Sequence, residues 1–571
     1  MISEKHIYND FKLPIEYVER STIKENIISD LELVETVNEN ETPMYEHLLK
    51  PKTNLGKMCI NRVKKYYTSD IDYLRDTQKL LQKLKNIDYN KNNVDNMHRA
   101  WSKIKTNENF LEHYQYIEFT RFKWLNTISS FLFLLSIYNI SSPVINLLTP
   151  FAIMVIPFII IKLMRLPITA ENYIRILKSE LAKHPIGKIF TSFGKVSMNK
   201  KFYMIVGAGL YVYNLYQNIL SCIRFYRNLN FIATQFGIIK TYLDNTIKNI
   251  DVLSMYVKDL PNYNAFYHDI QKNKEFMINL NKQIRNVPTC KTNFASFMKI
   301  GDTMKCFYTL YDSNYLETMI NYSLGLNGYL EVLLGLKENI LENKINKVKL
   351  VKDSSSTVIE IKEIYNPSLE NPIKNNISFK KNKIITGPNA AGKTTILKST
   401  ILNILFSQQF GYGYFKSATL TPIDYLHCYI NIPDSCSRDS LFQSEAKRCK
   451  DILDIITKNP DSKHFCVFDE LFSGTNPYEA ICTAKAYLEF ISKNKNVKFL
   501  LTTHFIRLCK ICDKKNIENY NMLIDVVDEK LNYTYKIDKG ISNVKGGIHV
   551  LENLGYSNEI IQDAKKTIKE F

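Results

Sequence analysis

The chain has 571 residues, 45% of them hydrophobic and 23% charged, which excludes a chain without a core and leaves room for two or three domains. Its net charge of +18 favours polyanionic partners, DNA or an anionic membrane surface, although abundant Lys, Asn, Ile and Tyr are also what an AT-rich coding sequence produces. The 11 cysteines are scattered and the start, Met1-Ile-Ser-Glu-Lys-His6, is charged, so a disulfide-framed secreted protein is not expected and a reducing, intracellular setting is.

In chain order, residues 25–120 read as the first part of an α-helical core, with a polar loop at 91–96. From Trp124 to Ile161 there is no charged residue. Segments 125–140 and 144–163 each approach the about 17–25 residues that cross a bilayer core, and Ser141-Ser-Pro143 between them predicts a helical hairpin over 124–163. Arg121 and Lys123 before it, with Lys162 and Arg165 after it, would put both ends on the cytosolic side. The competing expectation is a pair of buried core helices, because apolarity on every face suits protein and lipid alike. Asn126, Asn139, Asn146, Pro150 and Pro157 weigh toward burial. A third charge-free stretch, 202–223, carries Asn214, Gln217 and Asn218 and is expected to be a buried or interfacial helix. Together these form an apolar helical insert, 121–225, followed by returning core and lever helices at 226–340.

From 345 to 571, strand-length runs alternate with helical ones, which predicts a sheet covered by helices. The short run 383–386 leads into Gly387-Pro-Asn-Ala-Ala-Gly-Lys-Thr394, and a helix is predicted over 395–405. Strand, glycine-bracketed loop, Lys-Thr and helix start are the parts of a P-loop. Gly387, Pro388, Asn389, Ala390, Ala391, Gly392, Lys393, Thr394 and Thr395 are therefore the candidate ATP-binding residues. Lys393 is expected to reach the β- and γ-phosphates, and the Thr394 hydroxyl to hold Mg²⁺. A second apolar run, 464–468, ends in Asp469-Glu470. A carboxylate at that strand tip can bind Mg²⁺, and Glu470 is placed to orient or deprotonate water. A third run, 497–503, leads into His504, either a catalytic group near the γ-phosphate or an ordinary strand-end residue. Cys509-Lys-Ile-Cys512 has no second pair at zinc spacing, so metal or redox chemistry is not expected there.

Gly-Pro-Asn-Ala-Ala-Gly-Lys-Thr-Thr (387–395), Asp-Glu-Leu-Phe-Ser-Gly-Thr-Asn (469–476) and Thr-Thr-His-Phe (502–505), in this order, resemble the MutS family of DNA mismatch-repair ATPases. Between the first two, Ser440, Phe442 and Glu445 match the family's Ser-Thr-Phe-x-x-Glu signature. The resemblance implies that Ser440 contacts the nucleotide of a partner subunit in trans. Near the N-terminus, segments 29–33, 53–57 and 73–81 are similar to the start of the family's core. Segments 546–550 and 555–564 are similar to its closing helices, which contact the partner subunit. The similarity covers about 25–120 and 230–571.

Phe472 stands where the family commonly has glycine, and Tyr365-Asn-Pro367 where it usually has His-Pro. No room is expected before residue 25 for mismatch-binding and connector domains. The one Phe-x-Glu, Phe110-Leu-Glu112, lies in the core region, so mismatch reading by the family's Phe-x-Glu wedge is not expected.

The expected fold class is α plus α/β: an N-terminal helical core and lever domain with an apolar insert, then a P-loop ATPase domain of ATP-binding-cassette-like layout. The expected function is a MutS-like, ATP-hydrolysing, DNA-binding protein acting as a dimer, most simply a homodimer, with ATP and Mg²⁺ as its cofactors. The alternative is a membrane-anchored, ATP-driven scaffold with the ATPase on the cytosolic side and no mismatch recognition. An ATP-binding cassette or recombination-type ATPase is disfavoured by the lack of an LSGGQ-like signature between Lys393 and Asp469.

Overall fold

The computed structural model describes residues 7, 9–38, 40–165, 169–287, 297–352, 357–430, 441–512, 515–527, 530–542, 551 and 554–567. The chain packs as two units, one of Asn92–Ile247 with Glu275–Ile320, the other of Glu4–Lys91, Lys248–Lys274 and Asn321–Phe571. The four consecutive segments expected from the sequence are not how the contacts divide. Residues 25–91 are bonded directly to the C-terminal sheet region: the Tyr45 hydroxyl donates to Gln409 (2.9 Å), and the Gln78 amide donates to the carbonyls of Val348 and Gly411 (2.9 and 2.8 Å). These bonds join buried polar groups far apart in sequence, which is why no composition shift marks the boundary.

The first unit is helical. Its core is an aromatic cluster in which the buried Phe110 ring stacks on Tyr311 at 3.9 Å and on Phe307 at 5.2 Å. Its helices include α1 (Ser129–Leu163), the short α2 (Ala170–Leu181) and α3 (Pro185–Ser192), and α4 (Met198–Val257), whose residues up to Ile247 belong to this unit.

The predicted hairpin over 124–163 is corrected. The chain does not reverse at Ser141-Ser-Pro143, because α1 runs unbroken through it. Proline in a helix frees the carbonyl four residues earlier. For Pro150 that carbonyl is Asn146's, and the Tyr211 hydroxyl of α4 donates to it at 2.7 Å. The reversal is made further on, through α2 and α3, and α4 returns along α1. Ser142 donates to Asn218 across the pair at 3.0 Å. Of the two expectations for 202–223, buried or interfacial, burial is corrected: Phe202, Leu210 and Val212 are all more than half exposed. Among the described residues, no single helix is long and apolar enough to cross a membrane.

In the second unit the strands from residue 346 onward are β1 (Asn346–Leu350), β2 (Ile359–Ile364), β3 (Asn375–Ser378), β4 (Asn382–Thr386), β5 (Tyr412–Gly413), β6 (Ser417–Leu420), β7 (Tyr425–Tyr429), β8 (His464–Asp469), β9 (Val497–Thr503), β10 (Ile517–Val527) and β11 (Lys530–Lys539). They form a sheet in the order β3-β2-β6-β1-β5 and a larger one in the order β11-β10-β4-β9-β8-β7. In the larger sheet β10, β4, β9, β8 and β7 are parallel, and β11 is an antiparallel edge. Runs such as Phe465-Cys-Val-Phe468 are apolar without alternation because both faces of this sheet are covered. One face packs under α5 (Lys393–Phe410); α6 (Leu441–Lys458) and α7 (Pro477–Ile491) join β8 and β9 in a buried cluster that includes Ile452, Phe468, Leu488 and Phe499. The register sets Asp469 beside Thr502 and Thr386 beside Thr503. The C-terminal ends of β4, β8 and β9 therefore meet at one edge.

At the other end of β7 and β8, two buried histidines are bonded to each other. His464 Nε2 faces the Asn459 carbonyl at 2.9 Å, so it donates, and its Nδ1 must accept from His427 Nε2 at 3.1 Å. His427 Nδ1 is then a buried acceptor with no hydrogen-bond partner among the described residues. Burial holds both imidazoles below the ordinary histidine value, His427 far below it, where His464 adds to the effect. The unfolded chain binds these protons near pH 6.5, whereas the folded one refuses them. Their contribution to stability is expected to be complete above that pH and to fall as pH drops below it, by up to about 1.4 kcal/mol per pH unit for each histidine. Denaturant titrations at neutral pH and at about pH 5.5 measure this. Equal stabilities would remove the pair as a cause.

Candidate active site

The edge where β4, β8 and β9 end is built by three short connections. After β4 the loop 387–392 turns into α5, with Gly392 as the residue before the helix at φ +92°, a left-handed conformation that favours glycine. The N–H groups at the start of α5 have no partners within the helix and are available to an anion. Lys393 curls back over the loop: its Nζ donates to the carbonyls of Gly387 (2.9 Å) and Pro388 (3.1 Å) and to Asn389 Oδ1 (3.4 Å). Burial pushes the Lys393 ammonium below the ordinary lysine value, opposed by the Glu470 and Asp469 carboxylates.

The next residue meets the second connection. Thr394 Oγ1 donates to Asp469 Oδ2 at 2.8 Å, and the other oxygen of Asp469 accepts from the Thr502 hydroxyl on β9. Thr395 lies in the first turn of α5, where its carbonyl accepts from Ser399 at 2.6 Å. Ala391 is buried beneath the loop, and Ala390 turns its outer corner at φ +63°.

Glu470, directly after β8, holds a left-handed backbone at φ +50°, and Phe472 another at φ +57°. Such conformations in non-glycine residues cost about 1–3 kcal/mol and persist where surroundings over-determine them. Here the Glu470 N–H is tied to the Thr502 carbonyl at 3.0 Å. Its carboxylate lies 3.5 Å from His504 Nδ1 and 3.9 Å from Lys393 Nζ. The bond to His504 holds the Glu470 carboxyl below the usual range, against the opposing effect of burial and with help from the charges of His504 and Lys393. A carboxylate that stays ionised is able to accept a proton.

The structure thus brings Lys393, Thr394, Asp469, Glu470 and His504 together around the 387–392 loop. Ser440 lies outside the described residues. The other two members of its signature are visible on α6. Phe442 packs on Phe472 with ring centroids 5.9 Å apart, and Glu445 is buried against the loop that follows Glu470. Glu445 accepts from the Ser473 N–H (3.0 Å), the Ser473 hydroxyl (2.9 Å) and the Gly474 N–H (3.1 Å). A Cβ on Gly474 would stand 2.8 Å from Leu441 and 2.9 Å from the Phe442 nitrogen, so the loop lies flat on α6. Glu445→Ala is expected to cost about 2 kcal/mol of stability through the lost charge-assisted bonds. It is also expected to lower turnover about tenfold while ATP affinity stays within twofold, since the loop carries Glu470 but not Lys393. Melting curves and a kcat-against-KM comparison check this. A loss confined to affinity would contradict it.

Sequence reasoning missed two further residues at this edge. Thr502 reads as an ordinary strand threonine, but the register aims it at Asp469. Tyr535 on β11 is half exposed at φ +56°, and its ring lies 3.1 Å from where a Gly392 Cβ would be. Asn375 holds that backbone by donating to the Tyr535 carbonyl (2.9 Å) and accepting from the Ile537 N–H (3.0 Å). No local pattern marks Tyr535, since it reaches the loop only through the strand order. Phe110 is fully buried in its aromatic stack and cannot act as a wedge.

Hydroxyl and carboxylate oxygens at Thr394 and Asp469 are hard donors that fit Mg²⁺. Among the described residues there is no cluster of three or more His, Cys, Asp or Glu that could hold a metal by itself.

Comparison with known proteins adds a family. Residues 383–571 match the family model MutS domain V. The chain is 29% identical over 222 residues to the DNA mismatch repair protein MutS of Persephonella marina, covering 37% of this chain and 25% of that protein. It is 33% identical over 191 residues to the protein of the same name from Bacteroides fragilis, covering 33% and 22%. With that of Parabacteroides distasonis it shares 30% over 266 residues, covering 44% and 30%. The matched stretch spans less than a third of each of these relatives.

Proposed function

From a chain whose residues 383–571 are a MutS domain V and which belongs to the MutS family through that domain, we infer an ATPase that cleaves ATP to ADP and phosphate where β4, β8 and β9 end. The observation that carries this is the 2.8 Å bond between Thr394 and Asp469, which couples the phosphate-loop helix to the carboxylate strand. The β- and γ-phosphates of bound ATP replace the loop carbonyls on Lys393. Loop N–H groups and the start of α5 surround the phosphate chain. Thr394 and Asp469 are the residues that would hold Mg²⁺, which when bound neutralises charge on the phosphates. Glu470 takes a proton from the attacking water as the new P–O bond forms, the bond to the β-phosphate oxygen breaks and ADP leaves. His504 holds the Glu470 carboxylate in place for this step. Tyr535 offers a ring beside the loop for the rest of the nucleotide.

Chelation tests the reading directly. Phosphate release is expected to fall at least about 100-fold in excess EDTA and to return when Mg²⁺ is restored. Turnover that ignores EDTA would sink it.

DNA is the proposed macromolecular partner, supported by the net charge of +18 and by the names of the relatives. A second copy of the chain is proposed to complete the nucleotide site through Ser440.

A further inference from the structure

We propose that the antiparallel pair α1 and α4 is a lipid-contacting element that docks the first unit into an anionic bilayer. This stands apart from the ATPase reading. The pair is fixed by three contacts whose numbers rise along α1 as they fall along α4. The Cys222 thiol meets the Ile140 carbonyl (3.8 Å), Ser142 donates to Asn218 (3.0 Å) and Tyr211 donates to the Asn146 carbonyl (2.7 Å). These bonds satisfy Ser142, Asn218 and Tyr211 within the pair, as burial in lipid favours, while Asn214 of α4 stays exposed.

What the pair shows to its surroundings is apolar on more than one side. Met154, Val155 and Ile156 of α1 are consecutive and 47%, 54% and 43% exposed. On α4, Leu210, Val212 and Tyr213 are 58%, 56% and 57% exposed. Consecutive helical residues point about 100° apart, so three in a row sweep about 200°. A protein partner, including a second copy of this chain, covers a stripe of roughly 100° on each helix. Hydrocarbon covers all of it. Exposed apolar side chains gathered on one element mark an interaction site.

Length and charge agree with lipid. The charge-free part of α4, residues 202–223, gives about 33 Å of helix without a charge to lay against hydrocarbon. The nearest charge at every end of the two charge-free stretches is basic: Lys123 and Lys162 for one, Lys201 and Arg224 for the other. Basic residues in those positions meet anionic headgroups. Lipid contact here belongs to the pair, and neither helix is required to span.

The test uses the full chain and vesicles of phosphatidylcholine mixed with phosphatidylglycerol, read by flotation in a density gradient. The protein is expected to float with the vesicles and to stay with them through washes in high salt and alkaline carbonate. A double variant, Val155→Lys with Leu210→Lys, is expected to lower the floated fraction at least about tenfold. Helical content by circular dichroism must be retained for that variant, and Val155→Leu with Leu210→Ile is expected to float like the wild type. Lys393→Ala should also float normally, which separates this proposal from the fate of the ATPase reading. Three results would overturn it: a wild-type chain monodisperse in detergent-free buffer and absent from the floated fraction, binding stripped by salt alone, or a soluble dimer cross-linked through Cys placed at position 155.

Discussion

Lys393→Ala is expected to weaken ATP binding by about 100-fold or more. The side chain is buried, spans the loop, and its ammonium is held by two carbonyls and the Asn389 side chain until phosphates take their place. A charge-assisted bond is worth about 1.5–3 kcal/mol, and two such bonds to phosphate oxygens account for the loss. Alanine also leaves Glu470 and Asp469 without the cation 3.9 Å from Glu470, so like charges face the incoming phosphates. Calorimetric titration with a non-hydrolysable ATP analogue measures the effect. Affinity unchanged from wild type would mean that the nucleotide does not bind at this loop.

Glu470→Gln separates binding from chemistry. The amide preserves the shape of the carboxylate but accepts no proton, so ATP affinity is expected to stay within a few fold while turnover falls about 100–1,000-fold. Its pH dependence carries a further check. The His504 bond keeps Glu470 ionised below the usual carboxylate range, so wild-type turnover should hold as pH falls toward that range. In His504→Ala the stabilising bond and charge are gone and burial remains, so the acid limb is expected to move upward. Steady-state phosphate release across pH tests both variants. A Glu470→Gln protein turning over like wild type would reassign the base. An unmoved acid limb in His504→Ala would leave His504 as a strand-end residue.

The parts of the candidate site that could be read in the sequence are those whose chemistry is local. Gly387 to Thr395 is contiguous, and a glycine-bracketed loop between a strand and a helix has few other uses. Asp469-Glu470 and His504 each follow an apolar run of strand length, so their place at strand tips needed no knowledge of neighbours. Glu445 was legible as part of a spaced motif, but its hold on Ser473 and Gly474 was not, because a spacing along one helix does not say which loop lies over it. Ser440 remains a proposal from that spacing alone.

Charge-free composition identified 124–161 and 202–223 as unusual but misassigned their pairing. Hydrophobicity reports which faces avoid water, and it is blind to which segment lies alongside. The serine-serine-proline step between two apolar runs reads as a short turn. The helix runs through it, and a tyrosine on α4 supplies the bond that Pro150 cannot.

By itself, then, the sequence determined a phosphate loop, a strand-tip acidic pair, a mixed helical and α/β composition and two apolar stretches. Each is set by interactions among residues within one element or its immediate neighbours. Tertiary structure alone decided that Thr502 and Tyr535 stand at the loop, that residues 25–91 share a unit with the sheet, and that α1 and α4 pair with their apolar sides outward. Those depend on strand order, register and helix pairing, where each contact joins residues tens to hundreds of positions apart and its free energy is settled by the packing of both sides at once.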